Sequence, residues 1–353
     1  MRIFVYEFAS GGGLAGHDVP ASLAREGAAM RAALVTDLCA IGGQEIVTTA
    51  DARVRHDLPR GVEIVALPAG DRAREAALDR LIGSADAVWL VAPETDRCLE
   101  HLAARVERQQ KPLLGSSADA IRRASDKARL PQLLAGLGVR HPVTRALERG
   151  ADPTRAADRI GYPVVVKPAR GAGSQGLRLV RHARELGRAV EFARRSTDDG
   201  RLLLQEYVQG APVSVSLLAN GREAMALTLN AQAIGSSPPF SYCGGETPFD
   251  HPLAPQAVAA ALDTCRALPG LRGFVGVDLV LTESDVVVIE VNPRLTTAYL
   301  GVRAALEENV VAWAIAACAG VLPSVPRATR RVRFTASGRV VVIGSKRAER
   351  GAA

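Results

Sequence analysis

Cysteine is scarce and scattered. The 353 residues hold five, at Cys39, Cys98, Cys243, Cys265 and Cys318, with no C-x-x-C pair among them. That spacing argues against a zinc site or a disulfide framework and makes a reducing cytoplasm the simplest setting. Long apolar runs are missing too. The longest, Asn309 to Pro323, is Ala-rich and too short to span a bilayer, so no membrane role is expected. The opening MRIFVYEFAS starts directly as strand-like sequence, without the ordered basic, apolar and cleavage regions of a secretory leader. No internal repeat and no low-complexity segment is present.

What remains is ordinary for a soluble globular chain: 48% apolar and 23% charged residues, enough for two or three structural units. The net charge of +7 is local. From Arg327 onward, Arg327, Arg330, Arg331, Arg333, Arg339, Lys346, Arg347 and Arg350 face one acid, Glu349, which leaves the rest about neutral. This end reads as a final hairpin (Val332 to Phe334, Arg339 to Ile343) and a basic tail. RNA or an acidic partner is the alternative, but terminal charge runs are usually solvated, so no nucleic acid is expected.

Strand and helix signals alternate through residues 1–112: RIFVYEF, a helix from about Ser22 to Ala40, EIVTTA, EIVALP, a helix near 72–81, AVWLVAP and a helix from Glu94 to Gln109. Such alternation predicts an α/β domain with a mainly parallel sheet, and such sheets bind ligands beyond the carboxyl ends of their strands. Ser10-Gly11-Gly12-Gly13 and Pro93-Glu94-Thr95-Asp96 sit there. Residues 113–200 follow as linker helices, preceded by a short strand in KPLLG, and a small α+β unit. Residues 201–325 form a larger α+β unit, with a Gly/Pro-rich loop at Ser236 to Pro252, and 326–353 form the basic hairpin and tail.

The stretch VVVKPARGAGSQGLRLV (164–180) carries Gly171, Gly173 and Gly176 in a G-x-G-x-x-G spacing. A dinucleotide fingerprint needs a helix after the loop, yet Leu177 to Val180 alternate as a second strand. A kinase loop has its lysine on a later strand, whereas Lys167 precedes this one. A plain surface hairpin is the bland alternative. Further on, GFVGVDLVL and VVVIEVN read as a hairpin, and period-two alternation places Asp278, Val280, Glu290 and Asn292 on one face. Hard oxygen donors of this kind suit Mg²⁺, or Mn²⁺ in its place. Arg294 adds a cationic fork, either for charge developing in a transition state or as a structural partner of Asp278 or Glu290.

In this order, Ser125-Asp126-Lys127, Pro163 to Pro168 with the Gly loop, Gln205-Glu206-Tyr207-Val208-Gln209-Gly210, Asp278 and Glu290-Val291-Asn292-Pro293-Arg294 resemble the ATP-grasp superfamily, over about Leu113 to Val302. The resemblance implies an α/β domain followed by two α+β subdomains with ATP between them. It implies that Lys127 and Lys167 bind the α and β phosphates, and that the loop around Gly171, Gly173, Ser174 and Gly176 closes over the β and γ phosphates. Gln205 to Val208 would form the adenine strip, with main-chain atoms of Glu206, Tyr207 and Val208 on the base edge. Asp278, Glu290 and Asn292 would hold Mg²⁺, and Arg294 and Lys167 would act on the transferred phosphoryl group. Two departures stand out. Ala211 to Ser214 replace a common ribose-binding glutamate, leaving Ser214 as candidate, and Gly276 stands where the D-alanine ligase branch has arginine.

Tyr6 to Gly13, Ala92 to Asp96, Tyr242-Cys243-Gly244-Gly245 and Asn292 to Thr297 are similar to the branch that contains the tyramine–L-glutamate ligase of methanofuran biosynthesis. That implies an ADP-forming carbon–nitrogen ligase joining the γ-carboxylate of L-glutamate to an aromatic amine such as tyramine. An amino-acid site needs a carboxylate for the ammonium, Glu7 or Glu94, and amides for the carboxylate, those of Ser10, Gly11, Gly12 and Gly13. Glu7 reads equally as a strand-end salt bridge, and Glu94 as a first-turn helix charge. Tyr242, Gly244 and Gly245 are candidates for a loop over the acceptor or a mere connector, and Thr296 and Thr297 for substrate contact or a cap on the last helix. A ligase of another amino acid or peptide, and a silent nucleotide-binding regulator, are the alternatives; a homodimer is left open.

Overall fold

The computed structural model describes residues 1–171, 176–197, 199–235, 241–324 and 326–345. Gly173 and Ser174 of the expected phosphate loop, and Lys346, Arg347 and Arg350 of the basic tail, lie outside the described residues.

Strands β1 (Arg2–Glu7), β2 (Glu45–Ala50), β3 (Glu63–Ala66) and β4 (Ala87–Val91) form a parallel sheet in the order β3-β2-β1-β4. Alternation divides the strands between two cores. Ile3, Val5 and Trp89 pack with Leu34 and Leu38 of helix α1 (Ala21–Ile41), while Phe4, Val88 and Leu90 pack with Ile82 of α2 (Asp71–Ser84) and Leu99 and Val106 of α3 (Cys98–Arg108). The strand order changes direction between β1 and β4, which opens a crevice between Glu7 and Pro93-Glu94, at the carboxyl ends. The helix expected from Glu94 begins instead at Cys98. A 3₁₀ turn, Thr95–Arg97, precedes it, with Asp96 and Arg97 left-handed at φ 51° and 60°. The strand expected in KPLLG reduces to one parallel bridge, Val88 to Leu113.

Two short helices, α4 (Ala118–Ala124) and α5 (Leu130–Ala135), lead into the small unit. There β5 (Thr144–Leu147), α6 (Pro153–Ile160), β6 (Val164–Pro168), β7 (Arg178–Val180), α7 (Ala183–Arg194) and β8 (Leu202–Glu206) follow in sequence. Their four-stranded sheet runs β5-β8-β6-β7. The Gly stretch thus joins antiparallel strands, Val164 facing Val180. The unit's boundary at 200 moves, because β8 belongs to this sheet.

The large unit contains β9 (Ala211–Asn220), β10 (Ala224–Ile234), β11 (Tyr242–Thr247), α8 (Ala254–Arg266), β12 (Arg272–Leu281), β13 (Val286–Asn292), α9 (Tyr299–Ala305), α10 (Val310–Cys318), β14 (Arg330–Thr335) and β15 (Val340–Ser345). Among the described residues its strands make one sheet, β13-β12-β9-β10-β11-β14-β15. One expectation changes here, and another, the basic hairpin, forms as expected. Tyr242 to Thr247, read as loop, is a strand, and the basic hairpin is the edge of this sheet, β11 pairing with β14 (Gly245 to Phe334). One face is apolar: Val213, Val215, Val275 and Val277 pack with Ala257, Ala261 and Cys265 of α8. The other carries a polar row. Register places Glu290 opposite Asp278, Asp278 opposite Ser214, and Ser214 opposite Asn230.

Candidate nucleotide and metal site

The polar row faces the small sheet, and Lys127 joins the two. Lys127 Nζ lies 2.6 Å from Glu290 Oε2 and donates to the Gly171 carbonyl at 2.8 Å. The SDK segment is thereby fixed to both the loop base and the β12–β13 hairpin. Lys167 Nζ, on β6, donates to Gln205 Oε1 at 2.8 Å, and Gln205 Nε2 donates to Thr144 Oγ1 at 2.9 Å. Gln205 therefore orients a lysine with its side chain. Burial, aided by the neighbouring Lys127, pushes the Lys167 ammonium down to about 7 against the opposing pull of Glu290 and Asp278.

Asp278 is gripped by amides on both oxygens, Gln232 Nε2 at 2.9 Å and Asn292 Nδ2 at 3.0 Å. Burial and then the facing Glu290 raise its pKa, whereas Lys127 and Lys167 outweigh burial at Glu290 and lower it. Two carboxylates in register, of which Asp278 has no cationic partner of its own among the described residues, suit a divalent ion. Among the described residues no group of three or more His, Cys, Asp or Glu gathers. Asp278, Glu290 and the Asn292 amide oxygen give a partial oxygen shell of the type that Mg²⁺ completes with water and phosphate. Ser214 is buried on the same row, where its hydroxyl accepts from Asn230 Nδ2 at 3.2 Å.

The adenine strip is partly committed within the protein. The Glu206 amide donates to the Val143 carbonyl at 2.8 Å and that of Tyr207 to Pro163 at 3.3 Å. Only the Val208 amide of the three lacks a protein acceptor among the described residues. Tyr207 is exposed.

Several expected substrate residues have other tasks. Arg294 does not pair with Asp278 or Glu290. It forms a fork on Glu94, Nε to Oε1 at 2.9 Å and Nη2 to Oε2 at 3.0 Å, and Nη1 donates to the Leu295 carbonyl. Glu94 is thus neither a free ammonium receptor nor a first-turn helix charge. Glu7 is buried and serves its own turn, accepting from the Ala9 amide at 3.0 Å, the Ser10 amide at 2.6 Å and the Ser10 hydroxyl at 2.5 Å. The Gly11 and Gly13 amides donate to the Glu7 and Phe8 carbonyls. Of the four amides expected to bind a carboxylate, that of Gly12 alone is uncommitted among the described residues. Gly244 and Gly245 lie in strand β11, not in a covering loop. Thr296 and Thr297 do not cap a helix through their side chains: Thr297 donates its hydroxyl to Glu26, and Thr296 lies over Gly276.

Gln232 and Glu26 escaped sequence reading. For Gln232 a signal existed, since Thr228, Asn230 and Gln232 repeat with period two in LTLNAQ. For Glu26, one of two acids on α1, there was none.

The family model described as an ATP-grasp domain matches residues 124–298, and that described as a pre ATP-grasp 3 domain matches 44–121. The carbamoyl phosphate synthase large chain of Pseudomonas syringae pv. tomato is 30% identical over 204 residues, 55% of this chain and 18% of that one. The tyramine–L-glutamate ligase of Methanocaldococcus fervens is 29% identical over 218 residues, 62% of each chain. The chain thus spans less than a fifth of the first relative and under two thirds of the second. A crystal structure of a putative ATP-grasp superfamily protein from Archaeoglobus fulgidus superposes with a TM-score of 0.68 at 24% identity, over 94% of this chain and 92% of that one. With the two lysines and the acidic hairpin meeting in one cleft, this chain carries an ATP-grasp domain behind a pre-ATP-grasp domain.

Proposed function

We propose that the chain is an ATP-dependent, ADP-forming ligase that joins the γ-carboxylate of L-glutamate to an aromatic amine such as tyramine. The observation that carries this is the convergence of Lys127, Lys167, Asp278, Glu290 and Asn292 on one cleft, lined on its far side by the Arg294–Glu94 fork. The tyramine–L-glutamate ligase likeness supports the choice of substrates.

In this reading ATP lies between the small and large sheets, as the chain's second and third units, with the parallel sheet as the first. Lys127 and Lys167 neutralise phosphate oxygens, Gln205 aims Lys167, and Gly171 with its following residues, Gly173 and Ser174 among them, covers the β and γ phosphates. Gly176 ends that loop, and Ser214 stands nearest in the row for the ribose. Asp278, Glu290 and Asn292 would hold Mg²⁺ or Mn²⁺, which when bound supplies charge neutralisation at the transferred phosphoryl oxygens. A carboxylate oxygen of the first substrate attacks the γ-phosphorus and ADP leaves; the amine nitrogen then attacks the acyl carbon and phosphate leaves. Both steps build charge on oxygen. Of the five N–H donors of a guanidinium, Arg294 commits three to protein, so two remain for that charge. All five cysteines are free, which supports a cytoplasmic setting, and among the described residues no helix is long and apolar enough to cross a membrane.

ADP release that requires both L-glutamate and an amine tests this. ATP binding without turnover, across a panel of paired carboxylates and amines, would instead support the silent regulator.

A further inference from the structure

Both acids expected to receive an ammonium group are spent, Glu7 on its own turn and Glu94 on Arg294. A third acid stands on the same wall. Glu26 lies on α1 immediately before Gly27, and Gly27 lets the helix come so near β1 that a Cβ there would meet the Glu7 carboxylate at 2.4 Å. That approach brings Glu26 against the segment following Arg294, where the buried Thr297 hydroxyl donates to Glu26 Oε1. Glu26 Oε2 has no protein donor among the described residues.

Tyr242, on β11, borders the same space. Its hydroxyl has no hydrogen-bond partner among the described residues, and burial, then Asp278, then Glu26 hold it protonated. Arg294 also lies in the field of Glu26. Glu26, which Thr297 ties to residues 292–297, thus lies near Tyr242 of β11 and Arg294, and Tyr242 in turn lies near Asp278.

We propose that Glu26 receives the α-ammonium group of an amino-acid substrate, with the Tyr242 hydroxyl as second partner, while that substrate's side-chain carboxylate points toward Asp278 and Glu290. The inference rests on the ligase reading above. An ammonium group offers three donors and a carboxylate free oxygen takes one in a charge-assisted bond. Chemistry adds a reason for the choice. A nitrogen held by a carboxylate stays protonated and is no nucleophile, so this subsite would mark the acid substrate and keep its own amine from attacking the acyl phosphate.

The test compares kcat/KM for L-glutamate with that for glutarate, which lacks the ammonium, in the native protein and in Glu26→Gln. The preference for glutamate falls about tenfold or more in Glu26→Gln, as loss of one charged hydrogen bond requires. Glu26→Asp retains part of it, and the KM for ATP stays unchanged in both. An unchanged preference, with the native protein turning over glutamate, overturns the subsite and leaves the ligase reading intact. If the native protein prefers another amino acid, its deaminated analogue replaces glutarate under the same criterion. A native protein that turns over no amino acid refutes the ligase reading, and this subsite with it.

Discussion

Arg294 and Glu94 meet through two parallel hydrogen bonds, at 2.9 and 3.0 Å, across 200 positions of sequence. The side chains are 14% and 4% exposed, so the pair is largely removed from water. It pins the parallel N-terminal sheet, at the reversal of its strand order, to the segment leaving the β12–β13 hairpin. Removing one partner of a buried pair strands the other charge, at a cost of about 3–5 kcal/mol. Urea denaturation of Glu94→Ala should show a loss of that size, and Glu94→Gln a smaller one. Arg294→Ala should lower turnover more than ATP binding; equal losses in both would give Arg294 a ground-state role only.

Lys167 gives a pH signature. Its pKa falls from 10.5 in the unfolded chain to about 7, so between those values the unfolded state holds a proton that the folded state has released. Stability therefore gains from rising pH across that window, and the contribution is lost as pH drops through about 7. A triphosphate beside Lys167 reverses the shift. ATP binding near pH 8 should draw in a proton, seen in calorimetry as a binding enthalpy that varies with the buffer's ionisation enthalpy. The variation should vanish in Lys167→Met, and a native protein without it would mean that Lys167 is already charged.

Gln232 holds Asp278 from the side opposite Asn292. Gln232→Leu frees one oxygen of a carboxylate whose orientation matters to a cation. The Mg²⁺ concentration for half-maximal ADP release should rise about tenfold, the low end for loss of an outer-shell partner. The same Mg²⁺ dependence in variant and native protein would confine Gln232 to packing.

Much of the nucleotide side was legible because it is written in local patterns. Arg178 to Val180 alternate as a strand, which separated the loop from a helix-bound phosphate site, and Glu290 sits a two-residue step from Asn292. Partners far apart in sequence were not legible. Nothing near Glu94 signals that its counter-ion is residue 294, and nothing near Glu7 shows that its own next amides will surround it. Strand β11 was missed for a different reason: Gly244 and Gly245 have the composition of a connector, while tertiary pairing with β10 and β14 makes them strand.

Gly176 follows the glycine-rich stretch at φ 73°, and a Cβ there would lie 2.7 Å from that of Ser196. Gly176→Ala carries both a left-handed penalty of about 1–2 kcal/mol and that clash. Thermal unfolding should show destabilisation of at least that size, with turnover reduced further than stability explains. A native-like melting temperature would show that the loop relaxes around the added carbon.

The pairing of β11 with β14 bears on how the molecule is made. Arg331, on β14, bonds to Glu246, on β11, across 85 residues, so the strand that presents Tyr242 has an open edge until residues 330–335 have left the ribosome. A product ending before them would expose that edge as a template for pairing with other chains. Translation that stops short of this last hairpin should therefore yield aggregates rather than a merely tailless protein.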